Sequence, residues 1–206
     1  MRKRPQQQRS RQVVASLVDA TAVCVARYGF EATTTPKIAE IAGVSVGSLY
    51  QYFESKETLF EALMERLGED VSRILSVGAQ LGQHLPIEQQ IGSAIRGALA
   101  LLHTNEGLYL ELVRNWHRLP THRVADIVER HLLDLMRIYF TKHHREVRVH
   151  DLHTKIFIIV NSTIFTVVRY LSGEHPLISE DEIARGLTEM IDCYLRNLPE
   201  PAPPLD

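Results

Sequence analysis

The 206-residue sequence predicts an all-α fold. Apolar residues recur at intervals of three and four along most of the chain, which is the spacing of one face of an α-helix. Glycine and proline fall almost only between these periodic segments, where they would end helices and form turns. The period-two alternation of a half-buried strand is absent over any useful length.

The first predicted helix carries one apolar stripe and ends at a glycine. The stripe runs from Val14 through Leu17 and Cys24 to Tyr28, and Gly29 follows it directly. Because glycine readily adopts the left-handed conformation that closes a helix, we expect the helix to stop there.

Residues 35–53 predict two short helices joined by a tight turn. Thr35 is expected to cap the first helix, with Pro36 at the first helical position, where a missing N–H costs nothing. Gly43 is expected to take the left-handed conformation that ends this helix. Ser45 is expected to cap the second helix. This pattern is typical of a helix-turn-helix, which places its second helix in the DNA major groove.

The second helix of this motif has an inward and an outward face. Leu49 and Phe53 lie four residues apart and should face the core. The outward positions are then Val46, Gly47, Ser48 and Tyr50.

The rest of the chain predicts a long helix and five further helices. Ser55 should cap the long helix, and residues 82–86 should interrupt the chain after it. The further helices are predicted over 86–103, 106–117, 121–144, 151–172 and 180–197.

The last helix carries a clear start signal, and the helix before it carries a signal for association. Ser179 and Glu182 form a capping box at the start of the final helix. The helix before it is apolar nearly all round over residues 156–170, so it must be covered on all sides. A second subunit would supply that cover; the alternative is a central core helix in a monomer.

Charge is distributed unevenly along the chain. Residues 1–56 carry 8 Lys/Arg and 4 Asp/Glu, a net of +4, whereas residues 57–206 carry 15 and 21, a net of −6. The basic part coincides with the helix-turn-helix, as attraction to phosphate requires.

Cysteine use and hydropathy predict a soluble cytoplasmic protein. Cys24 and Cys193 fall within apolar helical patterns, so both are expected to be buried thiols in a reducing compartment. The N-terminus lacks the apolar core of a signal peptide. No uninterrupted apolar run reaches the length of about 18 residues that a membrane span needs.

At this point the sequence resembles the TetR family of transcriptional regulators. The match runs over about residues 9–67 and fixes residue types in five segments, at 9–11, 28–35, 38–45, 47–53 and 55–60. The resemblance implies a three-helix DNA-binding domain with a basic N-terminal arm over 1–55. It further implies a helical effector-binding and dimerisation domain over 56–198, followed by a Pro-rich tail over 199–206.

The resemblance also implies which residues contact a double-stranded DNA operator. Ser45 would open the recognition helix, with Val46, Gly47 and Ser48 approaching base edges. The family pattern assigns phosphate contacts to Thr33, Thr35, Tyr50, Tyr52 and Lys56. The arm, expected either to reach the minor groove or to be a disordered tail, consists of Arg2, Lys3, Arg4 and Arg9.

By the same resemblance, the protein is expected to be a repressor that binds a palindromic operator as a homodimer through its two C-terminal helices. A small molecule of unknown identity would release it. The residues expected to contact that effector, which are also spaced as core residues would be, are Tyr109, Trp116, Tyr139, Phe157 and Phe165.

A competing hypothesis is a helical small-molecule carrier or enzyme whose helix-turn-helix no longer functions. No paired carboxylates, catalytic triad order or phosphate loop stands out, so no catalytic residue, cofactor or metal site is predicted. Residues 43–47 match G-x-S-x-G, but a helix rather than a strand is expected before Ser45. Four histidines cluster in sequence, and we interpret them as exposed surface residues rather than metal ligands: His143, His144, His150 and His153.

Overall fold

The computed structural model describes residues 4–104, 108–142, 149–173 and 177–196. Within these ranges the chain is helical and contains no strand, as predicted. The α-helices are α1 (Arg4–Ala32), α2 (Thr35–Ile41), α3 (Val46–Tyr50), α4 (Lys56–Leu81), α5 (Ile87–Leu102), α6 (Leu108–Arg114), α7 (His122–Lys142), α8 (Val149–Leu171) and α9 (Glu180–Arg196), with a 3₁₀ turn at Trp116–Arg118.

Two glycines predicted to end helices have left-handed backbone. Gly29 has φ of 77° and interrupts the helical geometry of α1 three residues before its end. Gly43 has φ of 68° and follows α2. A side chain at either position would be strained because L-residues rarely adopt this region.

The predicted cap of α2 was wrong. Thr34, with extended backbone, occupies the capping position, and its side chain makes no capping hydrogen bond. Thr35 is therefore already helical, and Pro36 is the second helical residue rather than the first. The pattern could not distinguish three consecutive threonines, any of which is an acceptable residue before a helix.

Contacts group the described residues into two compact units. The first unit lies within Met1–Leu67 and Leu102–Arg123, and the second within Gly68–Leu101 and Val124–Asp206. Helix α4 contributes residues to both. The predicted boundary between a DNA-binding domain and an effector-binding domain at residue 56 stays a prediction about function. The contacts, however, place α6 in the same unit as the helix-turn-helix.

The first unit has one core built by α1–α4 and α6. Helix α6 packs along α1, and its Tyr109 is buried to 1% exposure. The Glu111 carboxylate accepts hydrogen bonds from the Phe30 backbone N–H at 3.3 Å and from the Asn115 amide at 3.0 Å. The rings of Phe30 and Phe60 stack with centroids 4.7 Å apart. These contacts join the end of α1 to both α4 and α6.

The second unit contains α5, α7, α8, α9 and the C-terminal part of α4. The predicted capping box at α9 is confirmed, because the Glu182 carboxylate accepts hydrogen bonds from the Ser179 backbone N–H and hydroxyl, both at 2.7 Å. These bonds stabilise the ionised carboxylate and lower the pKa of Glu182.

The cysteine prediction was half right. Cys24 is buried in the first unit, but Cys193 is exposed. Cys193 belongs to the apolar face that α8 and α9 leave uncovered, so it follows the helical pattern of a buried residue without being buried within one chain.

Two helices are long and apolar enough to cross a membrane by length and composition alone, at Arg9–Ala32 and Leu152–Leu171. The sequence prediction differed because it required an uninterrupted apolar run, and polar residues interrupt both segments. The core helix of a soluble protein meets the same criterion. In the first segment 44% of the most apolar stretch is buried, and in the second only 22%. Most residues of α8 are therefore only partly covered, or not covered, within the described chain.

Candidate nucleic-acid interface

The second helix of the motif begins with the predicted serine cap. The Ser45 hydroxyl oxygen accepts a hydrogen bond from the Ser48 backbone N–H at 3.0 Å. It also lies 2.9 Å from the Ser48 hydroxyl oxygen. This cap fixes the start of α3, a helix of five residues that is too short to be stable alone.

Packing from below holds α3 in place and orients its outer face. Leu49 is fully buried and Phe53 nearly so, which confirms the predicted inward face. On the opposite side Val46, Tyr50 and Tyr52 are exposed despite their apolar surface. Apolar and aromatic groups held out in water on a rigid helix are available to a partner.

The start of α3 offers close access to its backbone. A Cβ on Gly47 would approach only the Ser45 hydroxyl oxygen, at 3.9 Å, and is otherwise in open space. Ser48 beside it is half-buried. A flat surface such as the edge of a base pair can therefore approach this turn.

The threonines before the motif are placed differently from each other. The Thr35 hydroxyl lies 3.1 Å from the Tyr50 hydroxyl, so the first helix of the motif is hydrogen-bonded to the second on their exposed side. Thr33 is fully buried and donates its hydroxyl hydrogen to the Gly29 carbonyl at 2.8 Å. In this conformation the Thr33 hydroxyl has no hydrogen to offer a phosphate.

A second cap precedes Lys56 at the start of α4. The Ser55 hydroxyl accepts from the Thr58 backbone N–H at 3.3 Å, and the Thr58 hydroxyl oxygen accepts from the Ser55 N–H at 3.2 Å. The Glu57 backbone N–H and the Ser55 hydroxyl also hydrogen-bond to the Glu57 carboxylate and lower its pKa. The Lys56 ammonium lies 5.6 Å and 5.7 Å from the ring centroids of Phe30 and Phe60.

Lys37 is a basic residue of this surface that was not predicted from the sequence. Its ammonium donates to the Ala32 carbonyl at 2.9 Å and lies 4.7 Å from the centroid of the Tyr28 ring. The available signal was its place in the first turn of a helix, beside Thr35 and Pro36, where the backbone N–H groups attract anions.

The residues predicted to contact an effector are not brought together in one unit. Tyr109 and Trp116 belong to the first unit, whereas Phe157 and Phe165 lie exposed on α8 in the second. The Tyr139 side chain is outside the described residues.

The histidine cluster lies mostly outside the described part of the chain. His143 and His144 are not described, nor is the side chain of His150, and His153 is exposed. Among the side chains that are described, no group of three His, Cys, Asp or Glu residues is placed to hold a metal ion.

Comparison with known proteins identifies the same region. Residues 17–63 match the family model for bacterial regulatory proteins of the tetR family. The chain is 34% identical over 76 residues to the nucleoid occlusion factor SlmA of Haemophilus ducreyi, covering 37% of this chain and 36% of that protein. It is 38% identical over 55 residues to the transcriptional repressor KstR2 of Rhodococcus jostii, covering 27% of each. The chain thus aligns with about a third of the length of these relatives.

The fold is similar along nearly the whole chain. The crystal structure of the TetR family repressor AlkX from Dietzia sp. superimposes with a TM-score of 0.67 at 19% identity, covering 90% of this chain and 96% of that one. At this identity the likeness extends to the fold alone.

Proposed function

We propose that this chain, a TetR-family transcriptional regulator by its N-terminal domain and its fold, is a repressor that binds a palindromic operator as a homodimer and releases it when a small molecule binds. The observation that carries the proposal is the outer face of α3. The helix is anchored by buried Leu49 and capped by Ser45, and it holds exposed residues in the part of the chain that carries a net positive charge. A short rigid helix of this kind fits the DNA major groove.

Within this interface we assign two kinds of contact. Val46, Gly47 and Ser48 would face base edges, where the Val46 methyls could meet a thymine methyl. Phosphate contacts would come from the hydroxyls of Thr35, Tyr50 and Tyr52 and from the Lys37 and Lys56 ammonium groups. Thr33 would instead hold the turn before α2 from inside, through its bond to the Gly29 carbonyl.

Dimerisation is proposed through the face formed by α8 and α9. Phe157, Ile158 and Phe165 on α8 and Met190 on α9 are all exposed. Nearby, an apolar groove of about 420 Å³ is lined by Ile158, Ile159, Met190, Ile191, Cys193 and Tyr194. Clustered exposed apolar residues mark interaction surfaces, and a twofold dimer matches the symmetry of a palindrome. A homodimer would present two α3 helices roughly 34–36 Å apart.

The effector is proposed to act from the domain assigned to residues 56–198. Tyr109, Trp116, Tyr139, Phe157 and Phe165 remain the proposed contacts. Helix α4 supplies residues to both compact units and is the proposed element of transmission. Ligand and operator would then be linked, so that each weakens the binding of the other by the same factor. Such a protein would work in the cytoplasm, where its operator lies.

A gel-shift titration separates this proposal from a small-molecule carrier with an inactive motif. The probe is the DNA upstream of the protein's own gene, measured at low and at high salt. A regulator retards this fragment, and the affinity falls as salt rises because counterions are released from phosphate. A carrier shows no retardation even at low salt.

Lys56→Ala should weaken binding to specific and random DNA about equally. The side chain is proposed to contact phosphate, which carries no sequence information, so the slope of log affinity against log salt should become shallower by about one ion. Arg130→Ala is the control, since Arg130 is exposed on α7 in the second unit. A loss confined to specific DNA would contradict the phosphate contact.

Ser48→Ala should change base preference at one position of each half-site while leaving affinity for random DNA unchanged. The mutation removes the hydroxyl but leaves the backbone N–H that bonds to the Ser45 cap. Selection from a randomised operator library measures the preference. An unaltered consensus would remove Ser48 from the set of base contacts.

A further inference from the structure

The first unit contains a cleft that shares only Lys56 with the proposed DNA interface. The cleft has a volume of about 470 Å³ and lies between the end of α1, the start of α4 and the segment after the 3₁₀ turn. Small-molecule sites commonly measure roughly 300–1,000 Å³. Its apolar lining consists of Phe30, Phe60, Leu119 and Pro120.

Two cations border this apolar lining. The Arg118 guanidinium lies 4.9 Å and the Lys56 ammonium 5.6 Å from the centroid of the Phe30 ring. Arg118 also forms an ion pair with Glu31, whose side chain is exposed. Lys56 forms no ion pair with any described residue. Its charge lies over ring faces and also attracts the neighbouring Glu57 carboxylate, and it can accept an anion without breaking an existing salt bridge.

The two acidic residues in the lining are already engaged. The Glu57 carboxylate accepts hydrogen bonds from its own backbone N–H and from Ser55, which hold it ionised at the start of α4. Glu61 forms an ion pair with Arg123 at 3.4 Å. Both carboxylates therefore have donors or a cation of their own, and Lys56 and Arg118 are the charged groups of the lining that can donate to an anion.

His117 adds a further polar group to the rim. Its imidazole belongs to the same 3₁₀ turn as Arg118, so the turn presents two nitrogen-bearing side chains to the cleft opening. Imidazole nitrogen can donate a hydrogen bond to a carboxylate oxygen.

We propose that this cleft binds a small organic carboxylate with an apolar body. The carboxylate would lie between Lys56 and Arg118, and the apolar body would lie against Phe60, Leu119 and Pro120. This site is separate from the aromatic residues proposed to contact the effector on α8. A ligand at Lys56 would compete with an operator phosphate. This effect on DNA binding rests on the proposed function, whereas the carboxylate site itself does not.

Titration of the ¹⁵N-labelled full-length protein without DNA tests the site directly. The probes are benzoate, its neutral isostere benzamide, the cation benzylamine, and acetate, which lacks an apolar body. We expect benzoate to shift the amide signals of Phe60 and Arg118, with the other three binding on the order of tenfold more weakly, since one charge-assisted bond or one apolar contact is then lost. Equal binding of benzamide or benzylamine would overturn the proposal, and so would equal binding of acetate.

Matched lysine variants locate the carboxylate. Lys56→Met should weaken benzoate binding about tenfold. Lys37→Met removes the same charge from the same unit, and Lys37 also lies over an aromatic ring, but outside the cleft; it should leave benzoate affinity unchanged. Equal losses in the two variants would show a general effect of charge and overturn the site. Circular dichroism confirms that each variant is folded, and Arg118→Gln provides an independent variant at the other cation.

A gel shift with added benzoate tests the link to DNA. We expect benzoate, but not benzamide, to raise the protein concentration needed for retardation, and we expect this effect to disappear in Arg118→Gln. Retardation unaffected by benzoate in a protein that binds benzoate would overturn the competition. Absence of any retardation would overturn the proposed function, while the titration without DNA would still decide the carboxylate site.

Discussion

Phe165→Glu is expected to convert the homodimer into a monomer and to abolish operator binding. Phe165 is 69% exposed on α8, on the face proposed to meet a second copy. At a closed interface the new carboxylate would be buried without a partner, which costs roughly 3–5 kcal/mol. Dimer affinity should then fall by about two to four orders of magnitude. Sedimentation velocity measures the mass, and a gel shift on a two-half-site operator measures DNA binding.

Leu177→Glu is the matched control for this experiment. Leu177 is 92% exposed in the segment before α9, so the same charge is introduced at an apolar residue outside the proposed face. It should leave mass and operator affinity unchanged. A dimeric Phe165→Glu protein would contradict the assignment of the interface to α8. A monomer that still shifts the operator with full affinity would contradict the requirement for two recognition helices.

The same face explains why α8 was informative in the sequence. A helix that is apolar nearly all round needs cover on every side, and the second unit of one chain supplies only part of it. Cys193 on α9 has the spacing of a core residue and yet is exposed. Periodicity reports that a surface must be covered but does not specify by which chain. The prediction for Cys193 was wrong for this reason, whereas Cys24 is buried as predicted.

Local signals predicted local structure well. Ser45, Ser55 and Ser179 cap the helices that they were expected to begin, and Gly43 has the left-handed backbone that the turn requires. Each of these outcomes depends on residues within four positions of one another, which is the range over which sequence patterns act. The cap of α2 was misplaced by one residue because its neighbours are chemically equivalent.

Long-range contacts could not be predicted in the same way. Glu111 accepts a hydrogen bond from the backbone of Phe30, 81 positions earlier, and Arg118 lies over the ring of that same residue. No periodic pattern encodes which distant helix packs on α1. The prediction that α6 belongs to an effector domain therefore depended on the family resemblance alone. No sequence pattern indicated the cleft that Arg118 helps to form.

The burial of Tyr109 leads to a second large expected effect. Tyr109→Ala should destabilise the first unit by about 3–5 kcal/mol, the usual result of truncating a fully buried aromatic residue. In a protein of this length that corresponds to a fall in melting temperature of roughly 10 °C. Because Tyr109 packs in the unit that carries α2 and α3, operator binding should fail at temperatures where the wild-type protein still binds.

Tyr28→Ala is the control that separates the effect of burial on stability from the effect of losing an aromatic ring. Tyr28 is in the same unit but is about half exposed, and its truncation should cost less than about 1 kcal/mol. Chemical denaturation followed by circular dichroism compares the two variants. If Tyr109→Ala were as stable as Tyr28→Ala but responded more weakly to an effector, Tyr109 would line a ligand site, as its sequence context suggested. A stability loss of the expected size, with normal DNA affinity at low temperature, would instead make Tyr109 a core residue that holds α6 against the DNA-binding helices.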